Sequence, residues 1–197
     1  MIRKLWTQIA SPSTRFALGT LIAVGCLVGA VGLGATNVAL DATSTDAFCL
    51  SCHELADTVG KEYVGTIHHT NSAGVQVTCE GCHVPKPLIP KLGRKLRAVG
   101  EIYHHLLGTI DTPEKFDARR MLMASRVWED MNETNSRECR DCHRFTPAIL
   151  DKQSAKARQY HDGPLARGKT CIDCHKGNAH KLPDGIEEDE QLEGIDF

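Results

Sequence analysis

One long apolar run dominates the pattern of hydrophobic and polar positions along the chain. Phe16 to Leu40 comprises 25 residues that carry no formal charge and are rich in Leu, Val, Ala and Gly. A helix of about 20 such residues spans a bilayer, so residues 16–40 are predicted to form a transmembrane anchor behind a short tail, residues 1–15. A cleaved signal peptide is the alternative, but the apolar core of such a peptide is only about 7–15 residues long.

The charges that flank this run predict its orientation. Arg3, Lys4 and Arg15 precede the run, and Asp41 follows it. Positively charged residues favour the cytoplasmic side of a membrane helix. The pattern therefore predicts a cytoplasmic N-terminus and an exported domain over residues 41–182, which in a bacterium lies in the periplasm at the inner membrane.

Two further segments have the periodicity of helices, and no long segment alternates apolar and polar residues as a strand would. Asp111-Thr112-Pro113-Glu114 combines a capping side chain, a proline in the first turn and an acid, which predicts a helix that continues to about Asn132. The preceding segment, Leu88 to Leu107, carries an apolar stripe at Leu92, Leu96, Val99, Tyr103 and Leu106. The predicted fold is mainly α with extensive loops.

Charge is distributed unevenly along the chain after the apolar run. Between Lys86 and Arg97 there are five basic residues and no acid, which indicates either contact with anionic lipid headgroups or an acidic partner, or simply a solvated helix face. Residues 183–197 carry seven acids and are predicted to be disordered. The formal net charge is only -2, so the overall balance does not suggest a nucleic-acid partner.

Eight of the nine cysteines fall into four CxxCH signatures, which read CLSCH, CEGCH, CRDCH and CIDCH. Zinc sites and redox dithiols use CxxC pairs without needing a histidine directly afterwards. Covalent haem does need it, because two thiols bond to the porphyrin vinyl groups and the next imidazole reaches the iron. We therefore predict four c-type haems, whose bulk would supply the core of a chain with only 5% aromatic residues. The predicted attachment residues are Cys49, Cys52, Cys79, Cys82, Cys139, Cys142, Cys171 and Cys174.

The spacing of the signatures indicates an internal duplication. They begin 30 residues apart in the first pair and 32 residues apart in the second, as expected for a repeated two-haem unit. The units cover about 45–86 and 135–182 and are joined by a helical connection, residues 87–134. The histidines that end the signatures are the predicted proximal iron ligands: His53, His83, His143 and His175.

Other histidines are candidates for the distal ligands. His161 lies 10 residues before Cys171, and His69 and His68 lie 10 and 11 residues before Cys79. His180 follows the last signature closely. We predict His68, His161 and His180 as distal ligands, with His69 as the alternative to His68, and leave their pairing with particular haems open because such pairs form in space.

Taken together, the anchor and the four spaced CxxCH signatures resemble the NapC/NirT family of membrane-anchored tetrahaem quinol dehydrogenases. The stretches GTIDTPEKFDARR (108–120), NSRECRDCH (135–143) and TCIDCHKGNAHKLP (170–183) look most like the NapC branch. The resemblance implies oxidation of menaquinol or ubiquinol from the membrane pool and electron delivery to a periplasmic reductase, nitrate reductase in particular. An electron-transfer module fed by a separate quinol-oxidising complex is the alternative, an enzyme acting on nitrite or hydroxylamine is a third hypothesis, and a homodimer is left open.

The sequence departs from the family pattern at three positions. Leu55 stands where many relatives have a methionine ligand of the first haem, and Gly81 where an aspartate is associated with the quinol pocket. Lys86 stands where several relatives have a histidine. The sixth ligand of the first haem is therefore open, and Lys86, His104 and His105 are candidates for the distal ligand of another haem. Glu80 and Lys86 are the candidate quinol-site residues, because a carboxylate at that edge could accept a proton.

Overall fold

The computed structural model describes residues 14–162 and 167–186, together with Trp6 and Pro12. Most of the predicted N-terminal tail and the acidic residues from 187 onward lie outside the described residues. The described residues contain helices, turns and loops without a β-strand, which confirms the predicted mainly α fold. The helices are α1 Leu18–Ala42, α2 Asp46–Cys49, α3 His53–Ala56, α4 Val59–Tyr63, α5 Cys79–His83, α6 Leu88–Leu106, α7 Pro113–Glu133, α8 Arg137–Arg140, α9 Pro147–Leu150, α10 Ala155–Asp162 and α11 Cys171–Cys174.

The first of two structural units ends at Ala42 and contains α1. Helix α1 has 25 residues and a mean hydropathy of 2.1 over its most apolar window, whose side chains are exposed. Among the described residues it is the one helix long and apolar enough to cross a membrane. It begins and ends two residues later than the predicted anchor, and its length and composition are consistent with membrane anchoring.

The second unit begins at Thr43 and contains every CxxCH signature. Its longest helix, α7, starts as the sequence predicts: the Thr112 side chain accepts a hydrogen bond from the Lys115 backbone N–H at 3.4 Å, and Pro113 occupies the first turn. Helix α7 continues to Glu133, one residue beyond the predicted end. The Phe116 side chain is 4% exposed and is the most buried apolar residue described in this unit.

Few apolar side chains are buried in the second unit. Among its described residues, Phe116 and Ala157 are the buried apolar ones, whereas Ser44, Glu54 and Thr58 are buried polar residues. Since burial of apolar surface is the main force that stabilises a fold, the polypeptide alone provides little of a core. The observation agrees with the prediction that bound cofactors supply the missing apolar bulk.

Candidate functional site

Each CxxCH signature lies on or beside a helix of about one turn. Helix α5 contains the whole second signature, and α11 contains both cysteines of the fourth. Residues three and four apart in a helix share one face, so a one-turn helix turns the two thiols to the same side. Thr170 caps α11 in a reciprocal arrangement, in which its backbone N–H donates to Asp173 Oδ2 at 2.6 Å.

Equivalent hydrogen bonds join the signatures within each half of the chain. The backbone N–H of Cys79 donates to Asp46 Oδ1 at 2.7 Å, and the backbone N–H of Ile172 donates to Ser136 Oγ at 3.2 Å. Asp46 and Ser136 each lie three residues before the first cysteine of a signature. In both halves, a side chain that precedes one signature therefore accepts a hydrogen bond from the first turn of the next signature. The duplicated two-haem unit stays a prediction.

Contacts also connect the two halves. The Lys86 ammonium lies 3.0 Å from Asp141 Oδ2, inside the third signature. Burial raises the pKa of the Cys82 thiol, and the nearby Cys142 and Glu138 raise it further. The second signature therefore contacts the third, in addition to the hydrogen bonds that join the first to the second and the third to the fourth. The four signatures thus follow one another in space in the same order as in the chain.

The most informative feature of the site is that each signature histidine faces one other histidine. In each pair the two imidazole ring centres lie about 6 Å apart, and in three of the four pairs the partners are more than 50 residues apart in sequence. The pairs are His53 and His105 at 6.2 Å, His83 and His180 at 6.1 Å, His143 and His68 at 6.1 Å, and His175 and His161 at 5.9 Å.

These separations fit two imidazoles on opposite sides of one iron atom. A metal–imidazole nitrogen bond is about 2 Å long, and the ring centre lies roughly 1 Å beyond the nitrogen, so two axial imidazoles would have ring centres about 6 Å apart. The residues present therefore fit a haem iron at every signature. The sequence predicted the signature histidines as iron ligands but did not predict which other histidine faces each of them.

The protonation of the paired histidines also suits a metal ligand. Burial lowers the pKa of His83 to about 4, and burial likewise lowers the pKa of His161, His175 and His180. At neutral pH these imidazoles are uncharged, and a neutral imidazole has a free lone pair for a metal ion.

Hydrogen bonds orient two of the partner histidines. His161 Nδ1 lies 2.8 Å from Gln153 Oε1, and His105 Nδ1 lies 2.5 Å from Glu54 Oε1. Histidine ligands commonly donate one ring N–H to such an oxygen, which leaves the other nitrogen for the metal. By contrast, the Nδ1 atoms of His68 and His180 are buried without a hydrogen-bond partner among the described residues.

Glu54 lies beside the pair of His53 and His105, and the sequence analysis did not predict it there. Its side chain is buried, with 5% exposure, and its ligand atoms gather with those of Cys52 and His105 within 4.8 Å. Burial acts to raise the pKa of this carboxyl, but hydrogen bonds from its own backbone N–H and from His105 hold the pKa below its ordinary value. The only sequence signal was an acid directly after His53.

The remaining predicted residues lie apart from the histidine pairs. His69 Nδ1 is 2.8 Å from Thr70 Oγ1, and His104 Nδ1 is 3.2 Å from Thr109 Oγ1. The hydrogen bond to Asp141 raises the pKa of Lys86, so its protonated amine lacks the lone pair that an iron ligand needs. Glu80 and Lys86 line one small pocket, together with Gly81, Val84 and Lys91.

Comparison with known proteins agrees with this geometry. Residues 11–185 match the family described as "NapC/NirT cytochrome c family, N-terminal region". The chain belongs to the NapC/NirT cytochrome c family. It is 46% identical over 184 residues to the cytochrome c-type protein NapC of Escherichia coli K12, covering 93% of this chain and 92% of that protein.

Two further relatives extend the comparison. The denitrification system component NirT of Stutzerimonas stutzeri is 46% identical over 180 residues, covering 91% of this chain and 90% of NirT. A protein of Allochromatium vinosum, provisionally named a tetraheme cytochrome-c type, is 45% identical over 176 residues, covering 88% of this chain and 94% of that protein. No solved structure matches the chain significantly. Membership of the NapC/NirT cytochromes implies covalently bound haem.

An ion pair in this NapC/NirT cytochrome holds the segment that carries His180. The Arg120 guanidinium donates two hydrogen bonds to the Glu62 carboxylate, at 2.6 and 3.0 Å, and both side chains are largely buried. The backbone N–H of Lys181 donates to the same carboxylate at 3.1 Å. The pair therefore joins α4, α7 and the residue that follows His180.

We expect Arg120→Leu to destabilise this cytochrome in a pH-dependent way. Burial acts to raise the pKa of Glu62, but the Arg120 hydrogen bonds hold it below its ordinary 4.5. Such a group stabilises the fold fully above about pH 4.5 and loses that contribution as the pH falls through the folded-state pKa. The loss at pH 7 should be about 1–3 kcal/mol, between the values for exposed and buried pairs.

Chemical denaturation of the haem-loaded protein measures this effect. The stability difference between wild type and Arg120→Leu should be largest at pH 7 and should shrink toward pH 3. Asp117→Asn is the matched control, because Asp117 also pairs with Arg120 but its side chain is 61% exposed. A difference that grows on acidification would contradict the assignment to Glu62.

Proposed function

We propose that this chain is a membrane-anchored tetrahaem cytochrome that oxidises membrane quinol and passes the electrons to a periplasmic reductase, with nitrate reductase as the expected acceptor. The observation that carries the proposal is the set of four histidine pairs, each built around a CxxCH signature and each about 6 Å across. Family membership and the contiguous array of signatures support the same role.

The proposal gives each group of residues a part. The eight signature cysteines bind four haems, and the signature histidines are the proximal ligands. When bound, the haems supply one-electron redox chemistry tuned by their ligands and surroundings. The distal ligands are His105, His180, His68 and His161, for the first to the fourth signature in that order.

Two features support a quinol donor. The first signature begins seven residues after α1 ends at Ala42, so the chain keeps Cys49 within a short distance of the end of the proposed anchor. In the proposed orientation the N-terminus is cytoplasmic and the haem domain is periplasmic. Quinol oxidation releases two electrons and two protons, and Glu80 in its pocket with Lys86 is the proposed proton acceptor.

The names of the relatives support the choice of acceptor. One is called NapC and another is a denitrification system component, which favours a reductase of nitrogen oxyanions as the partner. The fourth signature ends the array that starts beside the proposed anchor, so it is the proposed exit toward that reductase.

Purified protein in detergent, kept without oxygen, tests the function. A menaquinol analogue or a ubiquinol analogue should reduce the haems without another protein, and a quinone-site inhibitor should block the reaction. The absorption band of reduced c-type haem is the readout. If dithionite reduces the protein fully but neither quinol does, the chain is instead a module that receives electrons from a separate quinol-oxidising complex.

We expect Glu80→Gln to slow quinol oxidation by about a hundredfold to ten-thousandfold, the usual contribution of a positioned acid or base. The reason is that the amide has nearly the same shape but does not accept the proton. Stopped-flow reduction by the better quinol measures the rate, and dithionite reduction should be unchanged. The control is Glu138→Gln, because Glu138 is another acid near the signatures. Its rate of quinol oxidation should equal that of the wild type. Equal rates for the wild type and Glu80→Gln would show that Glu80 is not the proton acceptor.

A further inference from the structure

Helix α6 keeps three basic residues partly covered, Lys91, Arg94 and Lys95, whereas its large apolar side chains are exposed. Arg94, Lys95 and Ala98 are half-buried, whereas Leu96 is 65% and Leu106 is 77% exposed. The exposed apolar side chains follow one continuous face, which we call the outer stripe: Ile89, Leu92, Leu96, Val99, Tyr103 and Leu106. An amphipathic helix of a water-soluble domain ordinarily does the reverse.

The outer stripe needs a partner other than water. Contiguous exposed apolar patches of this kind mark interaction sites. The first histidine pair lies away from the middle of the stripe, because His105 faces His53, and Leu96 lies nine residues before His105 on the same helix. Nine residues are about two and a half turns, so Leu96 lies on the opposite side of α6 from His105.

The basic residues of α6 already have partners within the domain. Arg94 pairs with Glu101 at 2.8 Å, and Arg97 pairs with Asp130 at 2.7 Å. An acidic protein partner would have to compete with these ion pairs. The chemistry that α6 presents on its outer face is therefore chiefly apolar.

A hydrogen bond places the middle of α6 beside the exit of the chain from α1. Lys95 Nζ donates to the backbone carbonyl of Thr43, the residue directly after Ala42. The same ammonium lies 5.9 Å from the centre of the Phe48 ring. Lys95 therefore contacts the first residue after α1, the point of the chain where a bilayer that held α1 would end.

We propose that the outer stripe lies in the interfacial layer of the bilayer and forms a second membrane contact, in addition to the α1 anchor. Helices with one apolar face bind membranes in this way. The inference rests on the membrane anchoring in the proposed function, and it adds that α6, the helix that carries His105, lies along the membrane surface. The occupant is lipid.

A second copy of the chain fits the outer stripe less well. The alternating spacing of three and four residues also occurs in coiled coils, but α6 has only 19 residues, fewer than the three to four heptads that a coiled coil requires. The flanking positions that would carry interhelical ion pairs include Gly93 and Gly100.

Photochemical crosslinking of the full haem-loaded chain tests the proposal. The protein is reconstituted in nanodiscs of phosphatidylethanolamine and phosphatidylglycerol, with a benzophenone-bearing phenylalanine at Leu96, and lipid adducts are measured by mass spectrometry. The matched control carries the probe at Arg126, an exposed position on α7. We expect at least about tenfold more lipid adduct at Leu96 than at Arg126.

A third probe separates this proposal from membrane anchoring itself. Val28 lies in α1 and is 65% exposed, so a probe there should also give a lipid adduct. Adducts at Val28 without an excess at Leu96 would overturn the second contact while leaving the anchor in place. A crosslink from Leu96 to a second copy, or no adduct at either position, would also overturn it. If the Leu96 probe lowers haem content, the probe at Leu106 replaces it.

Discussion

Replacing His105 with leucine is expected to change the haem of the first signature from a six-coordinate low-spin form to a five-coordinate high-spin form. His53 would then be the only imidazole at that iron, and Leu55, two residues after His53, has no atom that could replace the lost ligand. Loss of an axial ligand at the entry point should also slow quinol-driven reduction by at least about tenfold. Electron paramagnetic resonance counts the low-spin signals, and stopped-flow absorption gives the rate.

His104→Leu is the matched control for this prediction. The two histidines are neighbours on α6, but the ring of His104 contacts Tyr103 and Thr109 rather than a signature histidine. The control should keep every low-spin signal and the wild-type rate. If His105→Leu also keeps them, the sixth ligand of the first haem lies elsewhere.

His68→Leu is expected to remove the low-spin signal of the third haem. His68 is the partner of His143, and the change should leave that iron with a single imidazole. Because the third signature lies between the second and the fourth in the array, electron delivery to an acceptor should fall by about tenfold to a hundredfold, the range found when metal surroundings are disrupted. Quinol-to-acceptor turnover with the periplasmic reductase measures this loss.

The adjacent histidine again provides the comparison. His69 has its ring against Tyr63, with centres 5.3 Å apart, and hydrogen bonds to Thr70. His69→Leu should therefore leave spectrum and turnover unchanged. A high-spin signal in His69→Leu with an unchanged spectrum in His68→Leu would reverse the assignment of the two residues.

Local features of the site could be predicted from the sequence. The CxxCH signatures are contiguous, so the attachment residues follow from covalent chemistry, and the cap at Thr112 with Pro113 predicted the start of α7 to within a residue. The mainly α fold followed from the absence of alternating patterns. These features depend on interactions within a few residues, which sequence shows directly.

The pairing of the histidines could not be predicted, because it depends on contacts between distant segments. His161 lies 10 residues before Cys171 and does face the fourth signature. Its counterpart in the duplication, His68, faces the third signature and not the second, which follows it. The two histidines therefore have the same spacing from the next signature, but only one of them faces that signature.

The sequence also did not predict which face of α6 is exposed. Periodicity identifies an apolar stripe but does not say whether that stripe faces the domain or turns away from it. Contacts such as that of Lys95 with Thr43 hold the opposite face of α6 against the domain, and this contact joins residues 52 positions apart. Helix periodicity and long-range packing are separate sources of information.

The partnership of His83 with His180 has a consequence for biogenesis. His83 precedes its partner by nearly a hundred residues, so in the proposed export of the haem domain the second signature would cross the membrane long before His180. Chains emerge N-terminus first, and a contact between such distant residues forms late. If His180 is the distal ligand of the second haem, as proposed, haem could be attached to that signature early, but its coordination would be completed only after the fourth signature had emerged. We therefore expect a chain truncated before His180 to keep the haem of the second signature without its distal ligand.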